Sequence, residues 1–236
     1  MITSNSVQNE LKRYSNKGKE EVFVRFFKTG KGQYGEGDIF WGITVPNIRN
    51  IAKKYFKDIA FGEIKKLIES EIHEVRLLGY IILTYRFEKG DVGEKESVYE
   101  FYINNLKGCN NWDIVDLSCS KIMGNYLVDY PSKRDILYTF ANSNDLWKQR
   151  ISIVSTYSFI KQNDFKEALK ISKILLNHKH DLIHKAVGWM LREVGKKDID
   201  VLREFLNMNI KDIPRTTLRY AIERMDKRER DNYLSM

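Results

Sequence analysis

One short stretch of the sequence, NWDIVDLS at residues 111–118, places an aromatic ring and a carboxylate where they could act together. Trp112 and Asp116 are four residues apart, so on a helix they would lie on the same face, one turn from each other. An aromatic face attracts cations and stacks on planar groups, and a carboxylate stabilises positive charge. The pair is therefore suited to a cationic or electron-poor group.

Asp116 also belongs to a repeated register. The segments HEVRLLGYI, DIVDLSCSK, WKQRISIVS, LIHKAVGWM and TTLRYAIER align at intervals of 34 to 40 residues. The alignment places five charged residues in one column: Arg76, Asp116, Arg150, Lys185 and Arg219. Periods of that length, each covering two helices, are typical of stacked helical hairpins of the HEAT or TPR kind. Equivalent positions then line one face, so the column predicts a basic stripe that contains a single acid.

Two interpretations of that acid are open. Asp116 could pair with a neighbouring arginine, or it could favour a helix N-terminus through the helix dipole. Alternatively, Asp116 is catalytic. A basic groove attracts phosphates, whereas a lone carboxylate inside that groove would be suited to stabilising a positive charge on the nucleic acid itself.

Tryptophans accompany the charged column. Trp189 follows Lys185 by four residues, and Trp147 precedes Arg150 by three. For any single tryptophan, packing in the core is the alternative explanation. Three tryptophans tied to the same column favour an aromatic-walled groove, because aromatic faces stack on bases and attract cations.

The elements that must carry these residues are helices. Apolar residues recur at helical spacing through most of the chain, as in VPNIRNIAKKYF at 45–56, and no convincing alternating strand pattern occurs. Pro46, Pro131 and Pro214 each stand near a predicted helix start. We predict an all-α protein in which residues 1–236 form a single HEAT-like repeat domain. Its expected architecture is a superhelical solenoid of stacked antiparallel helix pairs with a concave basic groove.

Composition limits the partners and the location. Lys and Arg total 40 against 32 Asp and Glu, a net charge of +8, which makes a polyanionic partner plausible. The sequence has no apolar run long enough to span a bilayer, and its first residues lack the apolar core of a signal peptide. We therefore expect a cytoplasmic protein without membrane contact. Cys109 and Cys119 have no CxxC spacing and are expected to be reduced thiols.

Two further patterns do not support a cofactor or a metal. GKGQYG at 30–35 satisfies GxGxxG, but it follows a helical pattern instead of a strand. We interpret 29–38 as a flexible surface loop. His178, His180 and His184 lack the HExxH arrangement of a zinc site, which favours solvated or capping roles. We predict that the protein has neither a cofactor nor a metal.

Four blocks of sequence together resemble a known family. They are FWGITVPNIRNIAKKY at 40–55, WDIVD at 112–116, WKQR at 147–150 and KAVGWMLRE at 185–193. The first is similar to the F-x-G-[IV]-x-x-P-x-x-R segment, and the second to the W-D-x-V-D motif, of the AlkD family. That family consists of bacterial DNA alkylation-repair glycosylases built from HEAT-like repeats. The ordered blocks span most of the chain, although the loop GKGQYGEGD departs from family members with a shorter connection there.

The resemblance implies a role for each site residue. Asp116 takes the position of the family's catalytic aspartate, Trp112 and Trp189 are the flanking aromatics, and Arg150 holds the DNA backbone near the lesion. The implied activity is that of a monofunctional DNA glycosylase in base excision repair. It would hydrolyse the N-glycosidic bond of positively charged N3- and N7-alkylated purines in duplex DNA. A branch of the family that has lost the aspartate is thought not to excise bases, so Asp116 favours an active enzyme.

The basic residues give predictions for DNA binding. Our candidates for contacts with the DNA backbone are Arg76, Lys148, Arg150, Lys185 and Arg219. Each of them could instead be a solvated charge or part of an ion pair. The expected partner is double-stranded DNA containing alkylated purines, bound by a monomer. The alternative function is a non-catalytic HEAT-like scaffold for nucleic acid or protein, which would share the basic stripe without needing Asp116 framed by Trp112 and Trp189.

Overall fold

The structure, a computed structural model, describes residues 2–236, and most of them are helical. The helices before residue 124 are α1 (Ser4–Lys12), α2 (Lys17–Phe26), α3 (Val45–Tyr55), α4 (Phe61–Ile68), α5 (His73–Lys89), α6 (Val92–Asn104) and α7 (Trp112–Ser118). Those after it are α8 (Asn125–Asp129), α9 (Asp135–Ala141), α10 (Leu146–Ser155), α11 (Tyr157–Lys161), α12 (Lys166–Leu175), α13 (Asp181–Lys197), α14 (Ile199–Asn209), α15 (Arg215–Ala221) and α16 (Lys227–Ser235). Within residues 2–236, extended pairing is limited to an isolated bridge between Ile39 and Ile72. The predicted all-α class is confirmed.

The chain divides into two compact units, the first ending at Met123 and the second covering Gly124–Met236. Helix α5 lies at the centre of the first unit, where it packs against α3, α4, α6 and α7. Every residue from His73 to Thr84 is buried, so this part of α5 is covered on every side. A helix that is apolar all round belongs in such a central position.

Helix α13 has the same role in the second unit. It packs against α10, α12, α14 and α15. Its contact with α15 is close at Gly188, where a Cβ atom would lie 2.6 Å from the carbonyl oxygen of Thr217. Only glycine permits that approach without a shift of the backbone.

Polar caps and prolines set where these helices begin. The side chains of Asn111 and Asp145 accept backbone N–H groups at the starts of α7 and α10, which satisfies donors that a helix leaves unpaired. Pro46 lies in the first turn of α3, Pro131 begins a short 3₁₀ turn, and Pro214 directly precedes α15. The expected position of each proline near a helix start is confirmed.

The repeated register corresponds to a repeated position on the helices. Arg76 is the fourth residue of α5, whereas the other four members of the column are each the fifth residue of their helices: Asp116 of α7, Arg150 of α10, Lys185 of α13 and Arg219 of α15. The pattern read from the sequence therefore marks the second turn of five different helices. The curved solenoid, its basic groove and the single domain stay predictions.

Two expectations from composition concern thiols and membranes. Cys109 and Cys119 are both buried and are not joined by a disulfide, as expected for reduced thiols. Across residues 2–236, no helix combines the length and the apolarity needed to cross a membrane.

Candidate functional site

The first turn of α7 is fixed by its cap. The side-chain oxygen of Asn111 accepts the backbone N–H of Trp112 at 2.8 Å, and its amide nitrogen donates to Asp38 at 3.1 Å. Asn111 is fully buried. A cap that is itself held by a second residue sets both where the helix begins and how its first turn is oriented.

Trp112 lies in an aromatic cluster. Its ring stacks on Phe27, with 5.4 Å between ring centroids and 23° between ring planes. It also contacts Phe26 in an edge-to-face arrangement, with 5.8 Å between ring centroids. Phe27 in turn stacks on Phe40. The indole is half-buried, so its orientation is fixed by packing while part of it stays accessible.

Asp116, the predicted catalytic carboxylate, lies one helical turn after Trp112 and is half-buried. Asp116 belongs to the second turn of α7, directly after the turn that Asn111 caps. Its position therefore depends directly on how the first turn is anchored.

Asp113 supplies a further anchor. Its carboxylate bonds Nε2 of His73 at 2.8 Å, and Nδ1 of the same ring bonds Asp38 at 3.2 Å. His73 is 1% exposed. Burial lowers the pKa of His73, but attraction to Asp113 and hydrogen bonds to both carboxylates outweigh burial and raise the pKa to about 9. An imidazolium bridging two carboxylates thus connects α5 to α7.

Asp38 is the residue on which this network converges. It accepts hydrogen bonds from His73, Arg76 and Asn111. Burial raises the pKa of Asp38, but the bond from His73 and the charge of Arg76 together lower it below its usual value. The carboxylate is therefore charged and joins three segments of the first unit.

Arg76 lies inside the protein. It is 5% exposed, and its guanidinium donates to Asp38 and to the carbonyl oxygens of Ser70 and Glu71, both at 3.0 Å. All of these partners belong to the first unit. The arrangement favours a structural role, because a contact with DNA phosphate would require this network to open.

An apolar cavity of about 340 Å³ lies beside Trp112. Phenylalanines 23, 26, 27 and 40 form much of its wall, and His73, Glu74 and Asp113 border it. Glu74 is itself buried and accepts the backbone N–H groups of Trp41 and Ile43 at 3.0–3.1 Å. The Glu74 carboxylate thus holds the backbone of residues 41–43 beside the cavity.

The remaining site residues lie in the second unit. Arg150 is 5% exposed and donates to the carbonyl of Leu182, which links α10 to the first turn of α13. Trp189 is half-buried, contacts Tyr157 at 6.3 Å between centroids, and donates through Nε1 to Glu193 at 3.2 Å.

The predicted phosphate contacts of the second unit differ in exposure. Lys148 on α10 is half-buried, and Lys185 is half-buried and pairs with Asp181 at 2.7 Å one turn earlier on α13. Arg219 on α15 is exposed. These ion-pair and surface positions leave the charges near solvent, where a phosphate could reach them.

The histidines near residue 180 serve the start of α13. The Nδ1 atom of His180 caps the helix by accepting the backbone N–H of Leu182 at 3.2 Å. The backbone N–H of His180 donates to Nδ1 of His178 at 2.9 Å. His184 bonds the carbonyl of His178. The capping role favoured by the sequence is confirmed. In the part of the chain that the structure describes, no group of three His, Cys, Asp or Glu could hold a metal ion.

Comparison with known proteins assigns a family. A family model described as DNA alkylation repair enzyme matches residues 7–225. The chain belongs to this family. No match was found among curated proteins.

Two solved structures have folds similar to that of this chain. One is described as a predicted DNA alkylation repair enzyme from Enterococcus faecalis, with 15% identity and a TM-score of 0.71, and the alignment covers 90% of this chain and 97% of that one. The other is described as AlkD2 from Streptococcus mutans, with 15% identity and a TM-score of 0.56, covering 94% and 97% respectively. At such identities the likeness establishes the fold alone. The suspected relationship to AlkD-like repair proteins is confirmed.

Sequence reasoning missed the buried polar residues that hold α7 in this repair-family fold. Asp38 stands at the end of the glycine-rich loop, and His73 begins α5. Asp113 lies inside the WDIVD motif, of which only Trp112 and Asp116 were predicted as site residues. A usable signal was the first carboxylate of that motif, since a charged residue beside a buried cap requires a partner.

Proposed function

We propose that the protein is a monofunctional DNA glycosylase that releases N3- and N7-alkylated purines from duplex DNA. Membership of the DNA alkylation repair enzyme family supports a role in repair. The observation that carries the finer proposal is the position of Asp116, a half-buried carboxylate one helical turn from the anchored Trp112. The protein would act as a monomer and without a cofactor.

The chemistry of the substrate explains why one carboxylate suffices. Glycosidases that act on neutral sugars commonly need two carboxyl groups, one of them an acid that protonates the leaving group. An N3- or N7-alkylated purine already carries a positive charge, so it departs without protonation. Asp116 would stabilise the oxocarbenium-like sugar as the bond breaks and would orient water for attack on the anomeric carbon.

The aromatic residues and Arg150 would position the damaged nucleotide. The exposed part of Trp112 offers a π face to the cationic base or to the electron-poor edge of the sugar, and Trp189 would do the same from α13. Arg150 would bind a backbone phosphate near the lesion through paired hydrogen bonds from its guanidinium. Because Arg150 is 5% exposed and donates to the carbonyl of Leu182, this contact, like one from Arg76, requires the guanidinium to turn outward on binding.

DNA affinity would come mainly from sequence-independent phosphate contacts. Lys148, Lys185 and Arg219 are the candidates whose charges lie near solvent. Arg76 is a weaker candidate, because its guanidinium is buried against Asp38. Contacts of this kind predict salt-sensitive binding with little dependence on sequence.

A non-catalytic scaffold that binds nucleic acid or protein is the alternative. It would use the same helices and the same surface cations. It would not need a carboxylate within one turn of an anchored tryptophan, and that feature is what favours the enzyme.

The deciding experiment is release of free base from a duplex that carries one N7-methylguanine. Wild-type protein, Asp116→Asn and the control Asp58→Asn, which changes an exposed acid of the first unit, are compared under single-turnover conditions. We expect release by wild type and by the control, and a rate lower by about 10²–10³ for Asp116→Asn, with duplex affinity preserved. Equal release by all three proteins would refute the role of Asp116. Salt-sensitive binding without release by any of them would support the scaffold.

A further inference from the structure

We infer that the two ends of segment 26–38, which we call the clasp, both hold the first turn of α7. The residues that position Trp112 and Asp116 in this way are Phe27, Asp38, His73 and Asp113. The consequence for catalysis rests on the proposed function. The claim that the clasp holds α7 does not depend on the proposed function.

The first end of the clasp is aromatic. Phe26 ends α2 and Phe27 follows it. Phe26 contacts the Trp112 indole in an edge-to-face arrangement, and Phe27 stacks on the face of the indole. Phe27 is also stacked on Phe40, with 5.0 Å between centroids, and lies 4.9 Å from the His73 ring. The ring of Trp112 therefore packs on Phe27, whose own position is fixed by its contacts with Phe40 and His73.

The second end of the clasp is polar. Asp38 accepts from Asn111, the cap of α7, and bonds His73, which in turn bonds Asp113. The two contacts that anchor the first turn of α7, one through Asn111 and one through Asp113, thus both depend on the Asp38 carboxylate. Because the side chain of Asp38 is only 6% exposed, water does not compete effectively for these bonds.

Between its ends, the clasp is folded onto itself. The backbone N–H of Gly30 donates to Gln33 at 3.0 Å, that of Gly32 donates to Glu36 at 2.7 Å, and that of Gly35 donates to the carbonyl of Lys28 at 3.2 Å. A Cβ atom on Gly35 would lie 2.4 Å from the carbonyl oxygen of Phe27, so the chain returns tightly against its own start. These hydrogen bonds keep the clasp folded between its two ends. Residues 30–33, 36 and 37 are exposed, in agreement with the surface loop predicted for 29–38, and the flexibility of that loop stays a prediction.

The clasp reaches Asp116 because Asp116 follows the anchored turn directly on α7. Asp116 lies three residues after Asp113, so a tilt of the first turn displaces its carboxylate by a comparable distance. Displacements near 1 Å at a reacting group reduce rates by about 10²-fold. Loosening the clasp should therefore reduce the rate of the chemical step without removing any group that touches DNA.

The charge on His73 is part of the anchor. The charged groups that face the ring are Asp38 from the clasp, Asp113 from α7 and Arg76 from α5, and the neighbouring Glu74 is bonded to backbone amides. Only the imidazolium donates to both carboxylates at once. Neutral imidazole would lose one of its two hydrogen bonds, to Asp38 or to Asp113, which gives the clasp a dependence on pH.

The test compares three variants of the full-length protein. His73→Gln and Asp113→Asn remove the bridge, and Glu94→Gln is the control, because it removes a part-buried carboxylate bonded to Arg86 away from α7 in the same unit. Single-turnover release of N7-methylguanine and duplex affinity are measured between pH 6 and 10. Amide hydrogen exchange of residues 112–118 is measured without DNA.

We expect His73→Gln and Asp113→Asn to release base at least about tenfold more slowly than wild type, with duplex affinity within a factor of about two of wild type. The wild-type rate should fall as pH rises through about 9. That fall should be absent in His73→Gln and shifted to lower pH in Asp113→Asn, a change that general loss of stability would not produce. Rates and pH profiles equal to those of Glu94→Gln would overturn the catalytic part of the inference.

Hydrogen exchange separates this inference from the proposed function. If wild type releases no base, the glycosylase proposal fails, and exchange alone then tests the clasp. Faster exchange at 112–118 in His73→Gln and Asp113→Asn, but not in Glu94→Gln, would uphold the clasp. Unchanged exchange in both bridge variants would overturn it.

Discussion

The indole of Trp112 lies nearly parallel to the ring of Phe27, with 5.4 Å between centroids. Phe27 directly follows α2, whereas Trp112 begins α7, the last α-helix of the first unit. A residue proposed to contact the damaged nucleotide is thus oriented by one that comes far earlier in the chain. Substitutions at Phe27 should therefore affect activity without any contact between Phe27 and DNA.

Replacing Phe27 by leucine should separate packing from orientation. We expect the free energy of unfolding to fall by about 1–2 kcal/mol, because the side chain stays apolar while its aromatic contacts are lost. Phe159→Leu is the matched control, since Phe159 is also buried and lies against the guanidinium of Arg134. Chemical denaturation should show similar losses in both variants, whereas slower base release should occur in Phe27→Leu alone. A similar slowing in both would assign the effect to stability.

The stability of the protein should decrease as pH rises from about 6.5 to about 9, because of His73. The pKa of His73 is raised on folding, so its contribution is fully present below the ordinary value near 6.5 and is lost as pH passes the folded value. The shift corresponds to at most about 3 kcal/mol. Denaturation of wild type and His73→Gln across this range tests it: the difference between them should shrink as pH rises. A constant difference would contradict the raised pKa.

The sequence was sufficient for the elements and for the column of charges, because both depend on local periodicity. Apolar spacing identifies a helix wherever one face is buried, and Asp116, Arg150, Lys185 and Arg219 occupy the same helix position as the alignment indicated. The motif resemblance likewise led to the family. These inferences need only residues that are close in sequence or repeated at a regular interval.

The contacts that hold the site could not be predicted in the same way. Asp38 and Asn111 are 73 residues apart, and no periodic pattern relates them. Arg76 shows the difficulty most clearly, because its place in the column is as predicted, yet its guanidinium is buried against Asp38. The sign and register of a charge are readable from sequence, but its burial depends on which segments of the fold cover it.

Glu74→Gln should destabilise the first unit. The Glu74 carboxylate accepts the N–H groups of Trp41 and Ile43 in a buried setting, and glutamine has only one oxygen to offer them. We expect a loss of about 1–3 kcal/mol in the free energy of unfolding. The control is Glu69→Gln, which removes an exposed pair with Lys65 and should cost less than about 1 kcal/mol. Equal denaturation midpoints for the two variants would show that Glu74 does not hold this segment.

Arg219→Gln should weaken duplex binding in a manner that depends on salt and not on sequence. Arg219 is exposed on α15 and is proposed to bind a phosphate, so its loss should reduce the slope of log affinity against log salt by about one. Lys173→Gln removes an exposed cation from α12, outside the charged column, and should leave that slope unchanged. Titrations at several salt concentrations, with damaged and undamaged duplexes, measure both slopes. A change limited to damaged DNA would place Arg219 at the lesion instead of the backbone, and equal slopes for the two variants would remove it from the DNA-binding surface.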